Sequence, residues 1–127
     1  MQVFAGDSLI KTYDIALGWE TKGKKHFEGD GKTPEGNYVI NNKNAHSGYH
    51  KNLGISYPDQ KDLDFAQSHN KSAGGLIKIH GIRNGIGWMG RKHLLLDWTN
   101  GCIAVTDREI DELYEKTKIG TLIEILP

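Results

Sequence analysis

Apolar residues recur along the chain at two spacings, and most of them follow the two-residue alternation of strands. Residues 2–4 and 9–17 read as two strands joined at Gly6-Asp7. In "LIKTYDIAL" the side chains of Leu9, Lys11, Tyr13, Ile15 and Leu17 share one face, with Lys11 the single lapse in an apolar row. The stretch "TKGKKHFEGDGKTPEG" (21–36) has the composition of a polar loop, which Pro34 and Gly36 end before a strand "NYVIN" at 37–41. "LGISY" (53–57) predicts another strand, stopped by Pro58, and "KDLDFAQSH" (61–69) a short helix. "GLIKIHG" (75–81) alternates as a strand ending at His80-Gly81. The three glycines of "IRNGIGWMGRKH" (82–93) then make a surface loop, with His93 in a short helical turn.

The end of the chain carries the clearest helix signal. Thr106 and Glu109 form a capping box, and Val105 with Ile110 the matching hydrophobic staple. The spacing predicts a helix from about Asp107 to Thr117 that buries Ile110, Leu113, Tyr114 and Thr117. Gly120 then turns the chain into a last strand, "TLIEIL" (121–126). Many strands with one firm helix make a β-rich α+β domain, and 127 residues make it a single one (1–127).

Charge and composition narrow the function. Sixteen basic and sixteen acidic side chains cancel, so no nucleic-acid partner is advertised. No apolar run approaches the roughly 18 residues of a membrane span, so no membrane insertion is expected, and Met1-Gln2-Val3 does not begin a secretory signal. "KGKK" (22–25) reads as a solvated turn, and Trp19 as a packing residue. Glu28, Asp30 and Glu35 fit no calcium-loop spacing, and His46 with His50 lack a carboxylate to complete a zinc site. Neither metal nor cofactor is expected.

Chemistry centres on Cys102, the only cysteine. A lone thiol forms no internal disulfide and is either a small buried hydrophobe or a nucleophile. Asn100-Gly101 before it is a turn signal, which puts the thiol at a corner where main-chain N–H groups point outward to a developing oxyanion. Such a thiol needs a base. Of the six histidines His80 stands apart, because it ends an apolar strand and is followed by Gly81.

These pieces resemble the L,D-transpeptidase catalytic domain, the YkuD-like fold. The matching motifs are Ile79-His80-Gly81, Thr99-Asn100-Gly101-Cys102-Ile103, the terminal Gly120-Thr121-Leu122-Ile123-Glu124-Ile125, and the upstream Gly29-Asp30-Gly31-Lys32-Thr33-Pro34-Glu35-Gly36-Asn37-Tyr38-Val39-Ile40. The resemblance implies mixed sheets in a sandwich-like arrangement and a cysteine enzyme acting on peptidoglycan stem peptides. Cys102 would attack the amide after a diamino acid such as meso-diaminopimelate, and the thioester would pass to an amine or to water. On this resemblance His80 is the base, the Gly81 carbonyl orients its ring, and the N–H groups of Gly101 and Cys102 form the oxyanion hole. Thr99, Asn100, Arg83, Trp88 and Trp98 are the expected substrate contacts.

Three departures from the family pattern bear on the reaction. The usual Arg two places after the cysteine is Ala104, so its contact falls to Arg83 or Arg91; Ser-His before Gly-Cys is Thr99-Asn100; and His80 and Cys102 stand 22 positions apart. "DWTNGCIAVT" (97–106) resembles a branch that contains hydrolases (carboxypeptidases or amidases) as well as transpeptidases. A non-catalytic wall-binding module is the third reading, and the presence of both His80 and Cys102 weighs against it. The substrate implies a periplasmic or cell-envelope site of action although no signal peptide is legible. Either the chain is a domain of a longer exported precursor, or it is an antibacterial effector, for which an immunity protein would be the partner.

Overall fold

A computed structural model describes all 127 residues. Two sheets form. In the smaller, β1 (Gln2–Ala5) pairs antiparallel with β2 (Ser8–Thr12). The larger has five strands in the order β6-β5-β4-β3-β7, with β3 at Gly36–Ser47, β4 at His50–Ile55, β5 at Lys78–His80, β6 at Ile103–Ala104 and β7 at Leu122–Ile125. All its neighbours are antiparallel except β5 and β6, which run parallel. Two helices, α1 (Gln60–Ser68) and α2 (Asp107–Lys116), complete the expected β-rich α+β domain.

The capping logic holds at both helices. Thr106 Oγ1 accepts from Glu109 N–H while Glu109 reaches back to Thr106 N–H, and Asp59 and Asp62 make the same reciprocal pair at α1. Ile110 and Leu113 are buried, with Tyr114 and Thr117 half-buried beside them.

Three strand expectations need correction. The apolar row at 9–17 is broken: β2 stops at Thr12, and its side chains, Leu9 and Ile10 included, are exposed. Only beyond it does the chain turn inward, burying Tyr13 and Ala16, and then it bridges Ala16 to Ala104 and Gly18 to Thr99. The strand at 37–41 extends to Ser47 and returns as a hairpin through His50, a polar segment held by its backbone ladder. The strand at 75–81 shrinks to Lys78–His80, because Leu76 takes a left-handed φ of 56° that no ladder accommodates.

The loop at 21–36 is a built clasp rather than a solvated turn. Asp30 accepts N–H bonds from His26, Phe27 and Lys32, and Lys25 Nζ at 3.0 Å, and these bonds hold its carboxyl below the usual range despite burial. Lys25, expected in solvent, is only 3% exposed, since the carboxylate and the Phe27 carbonyl replace its water. The cation that Asp30 meets is therefore a lysine. Trp19 lies over Gly31, where any Cβ would strike its ring, and Gly18 N–H donates to Thr33 Oγ1. The loop is thereby fixed beside the turn that carries Cys102.

Candidate active site

Strand alternation builds the site. Leu53, Ile79 and Ile103 stand opposite one another across β4, β5 and β6, and all three are buried in the core shared with Ile110 of α2. The other face carries Asn44, Asn52 and His80 in register across β3, β4 and β5, with Lys78 two positions before His80 on the same side. That polar face forms the floor of a cleft of about 530 Å³, whose far wall is the turn of Thr99, Asn100 and Cys102. His80 and Cys102, 22 residues apart in the chain, thus line one cavity because parallel β5 and β6 are neighbours.

His80 is 5% exposed and tightly specified. Its Nδ1 lies 2.6 Å from the Gly81 carbonyl. A carbonyl only accepts, so Nδ1 carries the hydrogen and Nε2 keeps its lone pair. The ring packs against Tyr49, with centroids 4.6 Å apart, and edge-on against Trp98. Burial first, then the positive charge of Lys78 and the nearby His93, push its pKa below the usual imidazole value, with the Gly81 bond opposing them. Gly81 has no substitute: a Cβ there would meet Asp107 Oδ1 at 2.6 Å, and that same oxygen accepts Ile82 N–H.

Cys102 is half-buried, and burial pushes its thiol up, with Lys78 and the more distant Lys25 opposing. Its Sγ donates to the Leu76 carbonyl at 3.5 Å. The turn before it is held by Thr99, whose hydroxyl donates to the Cys102 carbonyl at 2.6 Å and accepts Gly101 N–H at 3.1 Å. Of the two amides expected to face an oxyanion, Gly101 N–H is therefore committed within the turn, donating to Thr99, whereas Cys102 N–H has no acceptor in the protein.

Gly101 itself sits at φ 131°, with Lys32 O only 2.7 Å from where a Cβ would stand. Gly101→Ala is expected to lower unfolding free energy by about 1–3 kcal/mol through backbone strain and to displace Cys102. Urea unfolding read beside the rate of Cys102 alkylation by iodoacetamide checks this. Unchanged values in both would mean the turn adapts at no cost.

The expected substrate contacts divide. Trp98, Thr99 and Asn100 line the cleft. Arg83 and Trp88 do not: both are exposed outside it, Trp88 by 78%, and Arg91 is held by Asp14. Asp97 accepts Leu17 N–H, and His93 is buried beside Trp98. Sequence reasoning missed Tyr49, Asn52 and Lys78, which line the cleft. The β-alternation of "IKIH" was the available signal for Lys78; nothing local marked Asn52.

The sequence model of the L,D-transpeptidase catalytic domain, YkuD, matches residues 1–125. No curated protein sequence matches the chain significantly. Among solved structures, the helical cell shape determining protein Pgp2 from Campylobacter jejuni is similar at 27% identity and TM-score 0.65, over 93% of this chain and 38% of that one. Its K307A mutant superposes at TM-score 0.69 and 26% identity, over 97% of this chain and 41% of that one. An L,D-transpeptidase from Mycobacterium smegmatis shares the fold at TM-score 0.63 and 11% identity, over 99% of this chain and 53% of that one. The chain thus spans about two-fifths of the length of the Pgp2 structures.

Proposed function

The chain belongs to the YkuD family of L,D-transpeptidase catalytic domains, and from that premise we propose that it is a cysteine acyltransferase of peptidoglycan stem peptides acting in the cell envelope. The observation that carries this reading is the 2.6 Å bond from His80 Nδ1 to the Gly81 carbonyl, which leaves Nε2 as a free base in the cleft that holds the only thiol. No helix is long and apolar enough to cross a membrane.

In the reaction the thiol leaves the Leu76 carbonyl and gives its proton to His80 Nε2. Sγ bonds to the carbonyl carbon of the third, diamino-acid residue, and the oxygen takes the negative charge opposite Cys102 N–H. Collapse breaks the amide, and His80 returns the proton to the leaving amine. An acceptor amine then gives its proton to His80, attacks the thioester and frees the thiol. The similarity to a cell-shape determining protein supports a wall-modifying role.

Water in place of the amine gives hydrolysis, the second reading. It is favoured by Ala104, which is fully buried against Ala16 and offers no cation toward an acceptor.

The test is acid-quenched intact-protein mass spectrometry with tetrapeptide and cross-linked muropeptides, followed by product analysis. A stem-peptide adduct on Cys102 is expected. Cross-linked or amino-acid-exchanged products would assign transfer, and tripeptides alone hydrolysis. Neither adduct nor product from any of these substrates would overturn the enzyme reading.

A further inference from the structure

The cleft is electrostatically one-sided. No aspartate or glutamate lines it, although the chain as a whole is neutral. Its floor nevertheless carries Lys78, a half-buried lysine that makes no ion pair and no side-chain hydrogen bond, unlike Lys11, Lys25, Lys51, Arg91 and Lys116, each of which meets a carboxylate. Beside it Asn52 is 3% exposed, lines the same cleft and has no side-chain hydrogen bond either. The Lys78 ammonium and the Asn52 amide, facing the open cleft with no partner in the protein, are free to engage a polar ligand there.

Resting on the acyltransferase reading, we propose that Lys78, with Asn52, is the carboxylate-recognition element of the substrate site, selecting stem peptides that carry a free carboxylate close to the scissile carbonyl. The geometry restricts where that anion lies. Lys78 lies two residues before His80 on the same strand face and lines one cleft with His80 and Cys102, so the recognised carboxylate lies close to the attacked bond. Two groups qualify: the terminal carboxylate of the leaving fourth residue, and the side-chain carboxylate of the third residue when that residue is diaminopimelate. Asn52, donor and acceptor at once, suits the peptide amide next to either. With Ala104 buried and Arg83 and Arg91 outside the cleft, no arginine replaces this lysine.

Three tetrapeptides separate the sources: one with both carboxylates, its C-terminal carboxamide, and one with lysine at the third position. Binding is measured by calorimetry on Cys102→Ala, with and without Lys78→Met, so that it does not depend on turnover; kcat and KM are measured on the parent and on Lys78→Met and Lys78→Arg. Lys78→Met is expected to weaken binding of the doubly carboxylated peptide about ten- to a hundredfold, the range of one charge-assisted hydrogen bond, with KM rising more than kcat falls and Lys78→Arg restoring part of the loss. If the carboxamide is the peptide indifferent to Lys78, the terminal carboxylate is the ligand; if the lysine peptide is, the side-chain carboxylate is. Equal loss on all three peptides would overturn the proposal, since it would mean that Lys78 acts only on the thiol. Lys78-dependent binding without turnover by the parent would keep the recognition site and remove the acyltransferase.

Discussion

Cys102→Ala is expected to leave the fold intact and to lower acyl transfer by at least about a thousandfold, since removing the nucleophile from a concerted site leaves only binding and oxyanion stabilisation. The structure separates the two effects. The thiol packs at the cleft surface and donates to the Leu76 carbonyl, while the turn around it is held by Thr99 and by Gly101 rather than by sulfur. Loss of stability should therefore stay within about 1 kcal/mol, the range of a partly exposed substitution away from the core. The measurement pairs muropeptide turnover with urea unfolding on the same preparation. Retained turnover in a folded Cys102→Ala would exclude the thioester and move the chemistry to another group. Loss of both activity and fold would leave the role of sulfur undecided, and Cys102→Ser, nearly the same size, then supplies the comparison.

The legible parts of this molecule are those in which neighbours in sequence are neighbours in space. Thr106 and Glu109 are three residues apart on one helical turn, and the helix they start was readable to within a residue. His80 and Cys102 were readable because a strand end before glycine and a thiol in an Asn-Gly turn each carry a local signature. The hairpin at 41–52 was not readable: "NNKNAHSGYHKN" has no apolar alternation, because one of its faces floors a polar cleft and its ladder is made by backbone groups that every residue has. The burial of Lys25 is not legible in the sequence for a related reason. Its partner Asp30 is five residues away through a glycine-rich loop, and only the closed loop brings charge to charge. Arg83 and Trp88 lie close to His80 in sequence yet do not line the cleft: Asn84 ties this segment to Ser47 and Gly48 at the cleft rim, and both side chains are exposed outside it. The Arg expected two places after the cysteine has no room here: Ala104 bridges Ala16 and is completely covered, so position 104 belongs to the core.

His80→Gln is expected to slow acylation about 10²- to 10⁴-fold, the usual contribution of a positioned base, and to change the shape of the pH profile as well as its height. Glutamine can still donate to the Gly81 carbonyl, so the variant keeps the local bond and loses only the proton acceptor. In the parent, burial holds His80 below the usual imidazole value of about 6.5 and holds the Cys102 thiol above its usual range. At neutral pH the pair is then uncharged, and the proton moves during attack rather than before it. The acid limb of kcat/KM should accordingly lie below pH ~6.5, the imidazole reference, and should vanish in His80→Gln. Iodoacetamide alkylation of the parent should rise steadily into the alkaline range; a fast plateau in acid would reveal a preformed thiolate–imidazolium pair and overturn this account. Stability follows the same sign. A histidine whose folded pKa is depressed contributes stability that is complete above about 6.5 and is lost as pH falls through the folded value, because the unfolded chain binds the proton first. His80→Gln removes that acid sensitivity, so its unfolding free energy should fall less than the parent's below pH ~6. That slope reports the buried titration alone, whereas the lost acid limb of kcat/KM is what tells a base from a packing residue.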